Sequence, residues 1–123
     1  MAERGNLDRG KEGEEVAWRY LRRRGYTLLA RNYRAPGGEV DLVVEKGKVL
    51  AFVEVKARDG ATAEEALEAV DERKRERMAR AARHFLHRYR GRATVFRFDV
   101  VAVLMERGAY RVVHIPEAFE LEG

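Results

Sequence analysis

The stretch from Glu39 to Lys56 constrains this chain more than any other. Leu42-Val43-Val44 and Val49-Leu50-Ala51-Phe52-Val53 are unbroken apolar runs rich in β-branched residues, with Lys46-Gly47 between them. Such runs around a short Gly-containing connection predict two core strands, Glu39 to Glu45 and Lys48 to Ala57, joined as a tight hairpin. With Lys46-Gly47 as the loop, Glu45 pairs with Lys48, Val43 with Leu50, Asp41 with Phe52 and Glu39 with Glu54. Opposed residues share a face, and the two-residue period of a strand adds Lys56 to it. A four-residue loop keeps this register and a three-residue loop breaks it. Asp41, Glu54 and Lys56, together with Glu39, are therefore expected on one face. Asp41 and Glu54 would be diagonal neighbours, roughly 7–8 Å apart at the backbone.

Carboxylates set side by side among apolar residues are costly unless a cation lies between them. Oxygen ligands at this spacing suit Mg²⁺, which takes one or two carboxylates and completes its shell with waters and phosphate oxygens. A lysine beside them supplies positive charge where negative charge grows in phosphoryl chemistry. The bland alternative is a cross-strand ion pair on a solvated face, and the apolar neighbours weigh against it. Glu39 is either a further ligand or a partner for an arginine such as Arg34.

The rest of the chain fits around this hairpin. Asp8 to Arg24 predicts a helix with Glu14, Ala17 and Leu21 on one stripe and Gly25 as its stop. Glu12 and Glu15 face away from that stripe. Tyr26 to Tyr33 predicts a first strand, and Ala35-Pro36-Gly37-Gly38 a turn. Thr62-x-x-Glu65 resembles a capping box. The helix it opens should run to about Tyr89, with a break near Val70-Asp71, on an apolar stripe of Met78, Ala81, Ala82, Phe85 and Tyr89. Thr94 to Leu104 predicts a long strand and Tyr110 to Ile115 a short last one. The fold class is α/β: an αβββαβ core plus a short C-terminal strand, a mixed sheet flanked by helices.

A length of 123 residues fits a single domain over 1–123. The chain has no cysteine, which removes disulfides, thiolate metal sites and cysteine nucleophiles and suits a reducing cytoplasm. The stretch from Met1 to Glu15 is charged and does not read as a secretory signal, and no segment is apolar enough to span a bilayer. The chain carries 20 Arg against 5 Lys, no Gln and only two Asn. Many charges and few thermolabile amides fit a heat-adapted source, although a GC-rich genome also favours Arg.

The net charge is only +4, but residues 73–92 hold nine Lys or Arg against one acid, Glu76, a local +8. Arg73, Arg77, Arg80 and Arg88 share a helix face there. That concentration beside a phosphate-handling site points to nucleic acid more than to an ordinary solvated face. His84 and His87 read as a solvated pair among arginines. Asp99, between Phe98 and Val100, reads as a buried partner for an arginine, and Trp18 and Tyr20 as core.

Gly38-Glu39-Val40-Asp41-Leu42 followed by Phe52-Val53-Glu54-Val55-Lys56-Ala57-Arg58 resembles the PD-(D/E)XK nuclease signature, with Val40 where the signature has proline. More closely, the chain resembles the YraN family of uncharacterised bacterial proteins, which are similar to archaeal Holliday junction resolvases. Gly10-x-x-Gly13-Glu14-x-x-Ala17, Arg31-Asn32-Tyr33-Arg34, Lys74, Ala81-Ala82 and Arg97-Phe98-Asp99-Val100-Val101 extend the likeness over nearly the whole chain. The resemblance implies a restriction-endonuclease-like fold and a Mg²⁺- or Mn²⁺-dependent endonuclease acting on DNA, branched DNA included. It implies Asp41 and Glu54 as metal ligands, the Val55 carbonyl as a third, Lys56 as the group that orients water or stabilises the phosphorane, and Glu14 as the completing acid. Arg73, Lys74, Arg77 and Arg80, with Arg34 and Arg58, are the expected nucleic-acid contacts, and a homodimer would match a two-stranded symmetric substrate. Two alternatives stand beside this: a non-catalytic nucleic-acid-binding module, and an interaction protein whose basic helix meets an acidic partner.

Overall fold

A computed structural model of the chain describes residues 6–120. Residues 1–5, part of the charged N-terminal stretch considered above, and residues 121–123 lie outside the described residues. The elements are α1 (Asn6–Arg23), β1 (Thr27–Ala35), β2 (Gly38–Lys46), β3 (Val49–Asp59), α2 (Ala63–Glu68), α3 (Glu72–Arg88), β4 (Val95–Glu106) and β5 (Ala109–Phe119). They build a five-stranded mixed sheet in the order β1-β2-β3-β4-β5. Only β3 and β4 run parallel, and α2 and α3 supply the crossover that a parallel pair requires.

The turn between β2 and β3 decides which residues meet. Lys46 pairs with Val49, so the loop is Gly47-Lys48 rather than Lys46-Gly47. Gly47 has φ +59, and a glycine at the first loop position is what a type II′ hairpin turn requires. The turn has slipped by one residue, which moves every pairing by two and so keeps every side chain on its expected face. Glu45 is opposite Leu50 and Val43 opposite Phe52.

The continuous apolar runs follow from burial on both sides. Ala17 and Leu21 of α1 pack on Leu42, Val44, Ala51, Val53, Val101 and Val103. Met78, Ala81 and Ala82 of α3 pack on the alternate set, Val43, Leu50, Phe52 and Val100. A sheet covered by helices on both faces has no solvated side to alternate with. Phe52 is fully buried at the centre of the α3 layer, where truncation to alanine is expected to cost about 3–5 kcal/mol.

The expected break in the second helical segment is real. Thr62 caps α2 with a capping box, its Oγ accepting from the Glu65 amide at 3.1 Å, and Asp71 caps α3, accepting from the Lys74 amide at 2.9 Å. One expectation is corrected: β5 is not short but runs to Phe119, past Pro116. Proline is tolerated there because β5 is an edge strand and the ladder is irregular between Phe98 and Val100. Among the described residues no helix is long and apolar enough to cross a membrane.

Candidate active site

The pairing of β2 with β3 runs from Lys46/Val49 to Leu42/Val53, and the next step of that register sets Asp41 directly opposite Glu54. There the ladder changes character. The Val55 amide donates to Asp41 Oδ2 at 2.8 Å, so a side chain takes a place that main-chain carbonyls fill elsewhere in a ladder. The expected diagonal arrangement thus becomes a direct one, and Asp41 lies in the seam between the two strands.

Glu54 is 3% exposed and, with Asp99, one of two buried charged residues among the described residues. Its Oε2 lies 3.4 Å from Lys56 Nζ and 3.6 Å from Lys74 Nζ. Its Oε1 is buried and, among the described residues, no donor group reaches it; the side-chain hydrogen bond that Glu54 makes with Asp41 joins two acids and itself raises the Glu54 carboxyl. Burial, and then the charge of Asp41, push the Glu54 carboxyl from the usual 4.5 up to about 8, against the downward pull of Lys74 and Lys56. The two lysines do not fully neutralise the pair of acids, and protonation does part of that task.

The structure places the other expected site residues as follows. Glu39 lies within 3.4 Å of Lys74 Nζ, 3.7 Å of Arg77 and 4.0 Å of Arg34. Burial raises its carboxyl, but these cations outweigh burial and hold it below the usual range. Of the two roles expected for Glu39, the arginine partner is the one the geometry displays. Glu14 approaches from α1; burial and the Asp41 charge raise its carboxyl, while a hydrogen bond with Asn32 and the charge of Arg31 oppose the rise. It is a neighbour of Asp41 rather than a member of the Glu54 cluster. Among the described residues no three or more His, Cys, Asp or Glu side chains converge as a metal cage.

The donor set therefore fits an ion that is content with two carboxylates and takes its remaining ligands from water, backbone or phosphate. Mg²⁺ and Mn²⁺ behave so, whereas an ion needing a closed protein cage does not fit. Among the described residues no cation or donor group reaches the buried Glu54 Oε1, and the neighbour that shares a hydrogen bond with this carboxyl is another acid, Asp41.

Arg73, Lys74 and Arg77 line one cavity of about 500 Å³ together with Glu39 and Lys56. Arg80 reaches over the β1–β2 turn, its Nη1 3.4 Å from the Gly37 carbonyl. Gly38 is glycine because α3 touches the strand start there: a Cβ would strike the Arg77 carbonyl and would meet the Ala81 amide at 2.8 Å. That contact fixes the first half of α3, and with it Lys74, against β2. Arg34 is exposed and faces Glu39. Arg58 is not brought into this group; it lines a separate cavity of about 340 Å³ with Glu12 and Gly13.

Two features were missed by sequence reasoning. The basic run predicts phosphate contact for Lys74, yet its ammonium sits inside the carboxylate cluster. The signal was Asp71-x-x-Lys74, a helix cap that aims the first turn at the sheet. His84 is not one of a solvated pair; it shares a hydrogen bond with the Tyr33 hydroxyl at 2.6 Å. Asp99 does pair with an arginine, Arg97, as expected, and also with His114.

Comparison with known proteins gives a consistent family signal. The sequence profile described as uncharacterised protein family UPF0102 matches residues 13–103. A UPF0102 protein of Methylorubrum populi is 48% identical, over 92% of this chain and 87% of its own length. UPF0102 proteins of Koribacter versatilis and Syntrophotalea carbinolica are 42% and 41% identical, covering 96% and 95% of this chain and 83% and 95% of their own lengths. The matched span contains Glu14, Asp41, Glu54, Lys56 and Lys74 alike.

Proposed function

The chain belongs to the uncharacterised protein family UPF0102, so its chemistry has to be read from the site, and we propose that it hydrolyses phosphodiester bonds in DNA with Mg²⁺ or Mn²⁺ on a restriction-endonuclease-like fold. The observation that carries this reading is the Oε1 of Glu54, buried in the seam opposite Asp41 and reached by no donor group among the described residues. The five-stranded mixed sheet with a parallel β3–β4 pair supports the fold assignment.

Asp41 and Glu54 would hold the ion, with the Val55 carbonyl, next to the amide that binds Asp41, as the third protein ligand that family resemblance implies. A bound Mg²⁺ or Mn²⁺ would supply neutralising charge for the carboxylates and Lewis acidity for phosphodiester hydrolysis. Lys56 projects from the same face, 3.4 Å from Glu54, where its ammonium meets the extra negative charge of a pentavalent phosphorus. Arg73, Arg77 and Arg80 hold the backbone phosphates on either side and fix the strand over the seam. Glu14, near Asp41, would complete the acidic cluster from the α1 side. The resemblance to junction resolvases extends the reading to branched DNA and to a homodimer offering one seam to each of two strands.

A cleavage assay on linear, flapped, single-stranded and four-way-junction DNA, with each metal, tests this. Product from wild type but not from Asp41→Asn is expected. The two ammonium groups already on Glu54 favour a second reading, a nucleic-acid-binding module that does not hydrolyse. Salt-sensitive DNA binding with no product from any substrate and either metal would select it.

A further inference from the structure

Glu54 is approached by ammonium groups from two different elements, and the two are not equivalent. Lys56 stands two residues along β3, and among the described residues it pairs with Glu54. Lys74 comes from the first turn of α3 and lies between two acids, 3.6 Å from Glu54 Oε2 and 3.4 Å from Glu39 Oε1. Burial pulls the Lys74 ammonium down, but Glu54, Asp41 and Glu39 outweigh burial and keep it charged. A divalent ion seated between Asp41 and Glu54 places two positive charges beside both ammonium groups. In a half-buried site, where screening is weak, that repulsion is large. Withdrawal of one ammonium relieves it. Lys74 has a second carboxylate already in contact and a flexible four-carbon stem on which to turn.

We propose that Lys74 is a displaceable cation: it holds Glu54 in the metal-free site and yields it to the divalent ion by withdrawing onto Glu39. Lys74 and Glu39 are then positioning residues that set metal affinity without touching the ion. This rests on the metal reading above. It also gives Glu39 a purpose that its three cationic neighbours do not by themselves explain: it is the berth for the displaced lysine.

The test is a Mn²⁺ titration without DNA of wild type, Lys74→Met, Glu39→Gln and the double variant, each with its melting temperature. Lys74→Met should bind Mn²⁺ roughly tenfold more tightly, because the competing charge is gone. Glu39→Gln should bind more weakly, because the displaced lysine loses its berth. The double variant should match Lys74→Met, since Glu39 acts only through Lys74. If Lys74→Met does not fold, Lys74→Gln carries the same expectation. A lower melting temperature with unchanged Mn²⁺ affinity would make Lys74 merely structural and overturn the proposal. A double variant as weak as Glu39→Gln would make Glu39 a ligand, and overturn it too. Wild type that binds Mn²⁺ while the variants match it sinks this inference alone. No binding by wild type or by Lys74→Met sinks the metal reading with it.

Discussion

Glu54 and Asp99 are both acids buried in the core, on the adjacent strands β3 and β4, yet they are built in opposite ways. Asp99 is fully matched. Its Oδ1 accepts from Arg97 Nε at 3.2 Å and the Glu117 amide at 3.1 Å, and its Oδ2 from Arg97 Nη2 at 2.8 Å, with His114 Nε2 at 2.7 Å. Burial lifts its carboxyl, but these partners outweigh burial and hold it below the usual value. Glu54 has one oxygen shared by two lysines and the other reached by no donor group among the described residues, with Asp41, another acid, as its hydrogen-bonding neighbour, and its carboxyl is pushed up to about 8. Equal burial with opposite shifts separates an acid matched by donors on both oxygens from one that is only partly matched.

The largest expected difference is in stability. Asp99→Asn should cost about 3–5 kcal/mol in urea denaturation, because Arg97 and His114 keep their donors and lose the carboxylate between them. Glu54→Gln should change the metal-free stability at pH 8 by less than about 1 kcal/mol, since Gln resembles the protonated acid. Equal losses in the two variants would break the comparison. Next comes Lys56→Ala. It should lower cleavage by about 10²–10³-fold while DNA binding persists, and lower a melting temperature that added Mg²⁺ partly restores. A variant that cleaves like wild type removes Lys56 from the chemistry.

The pH dependence sharpens the contrast further. Glu54 is raised in the folded state, so the stability it contributes is fully present below its unfolded 4.5 and is lost as pH rises through about 8. Asp99 is lowered, so its contribution is present above its unfolded 3.8 and is lost as pH falls through its lower folded value. Metal-free protein should therefore weaken from both ends, and saturating Mn²⁺ should flatten only the alkaline side. A Glu54→Gln variant that keeps the alkaline slope would assign it to another group. The smallest effect belongs to the rim. Arg73→Ala should weaken DNA binding evenly across sequences and reduce the salt slope by about 1, leaving stability unchanged.

The faces of the sheet were legible in the sequence because the two-residue period survives an error in the turn. The loop is Gly47-Lys48, one residue later than Lys46-Gly47, and Asp41 still shares a face with Glu54 and Lys56. What the pattern did not carry was the seam. Only the fold shows that Asp41 takes the Val55 amide, leaving Glu54 Oε1 without a donor group among the described residues. The placement of Lys74 was hidden for a different reason. The lysine lines the same cavity as Arg73 and Arg77, and the helix phase that brings its ammonium onto Glu54 depends on the Asp71 cap and on the close approach of α3 to Gly38. Arg58 shows the converse: adjacency in the signature did not bring it to the groove, because it follows β3 out toward Gly13.

Calorimetric titration of Mn²⁺ at pH 8, on wild type and Asp41→Asn, addresses the central claim directly. If the seam between β2 and β3 is a cation site, wild type binds one ion with release of protons from Glu54, and Asp41→Asn does not bind it. A wild type that takes up no Mn²⁺, with or without DNA present, contradicts the account.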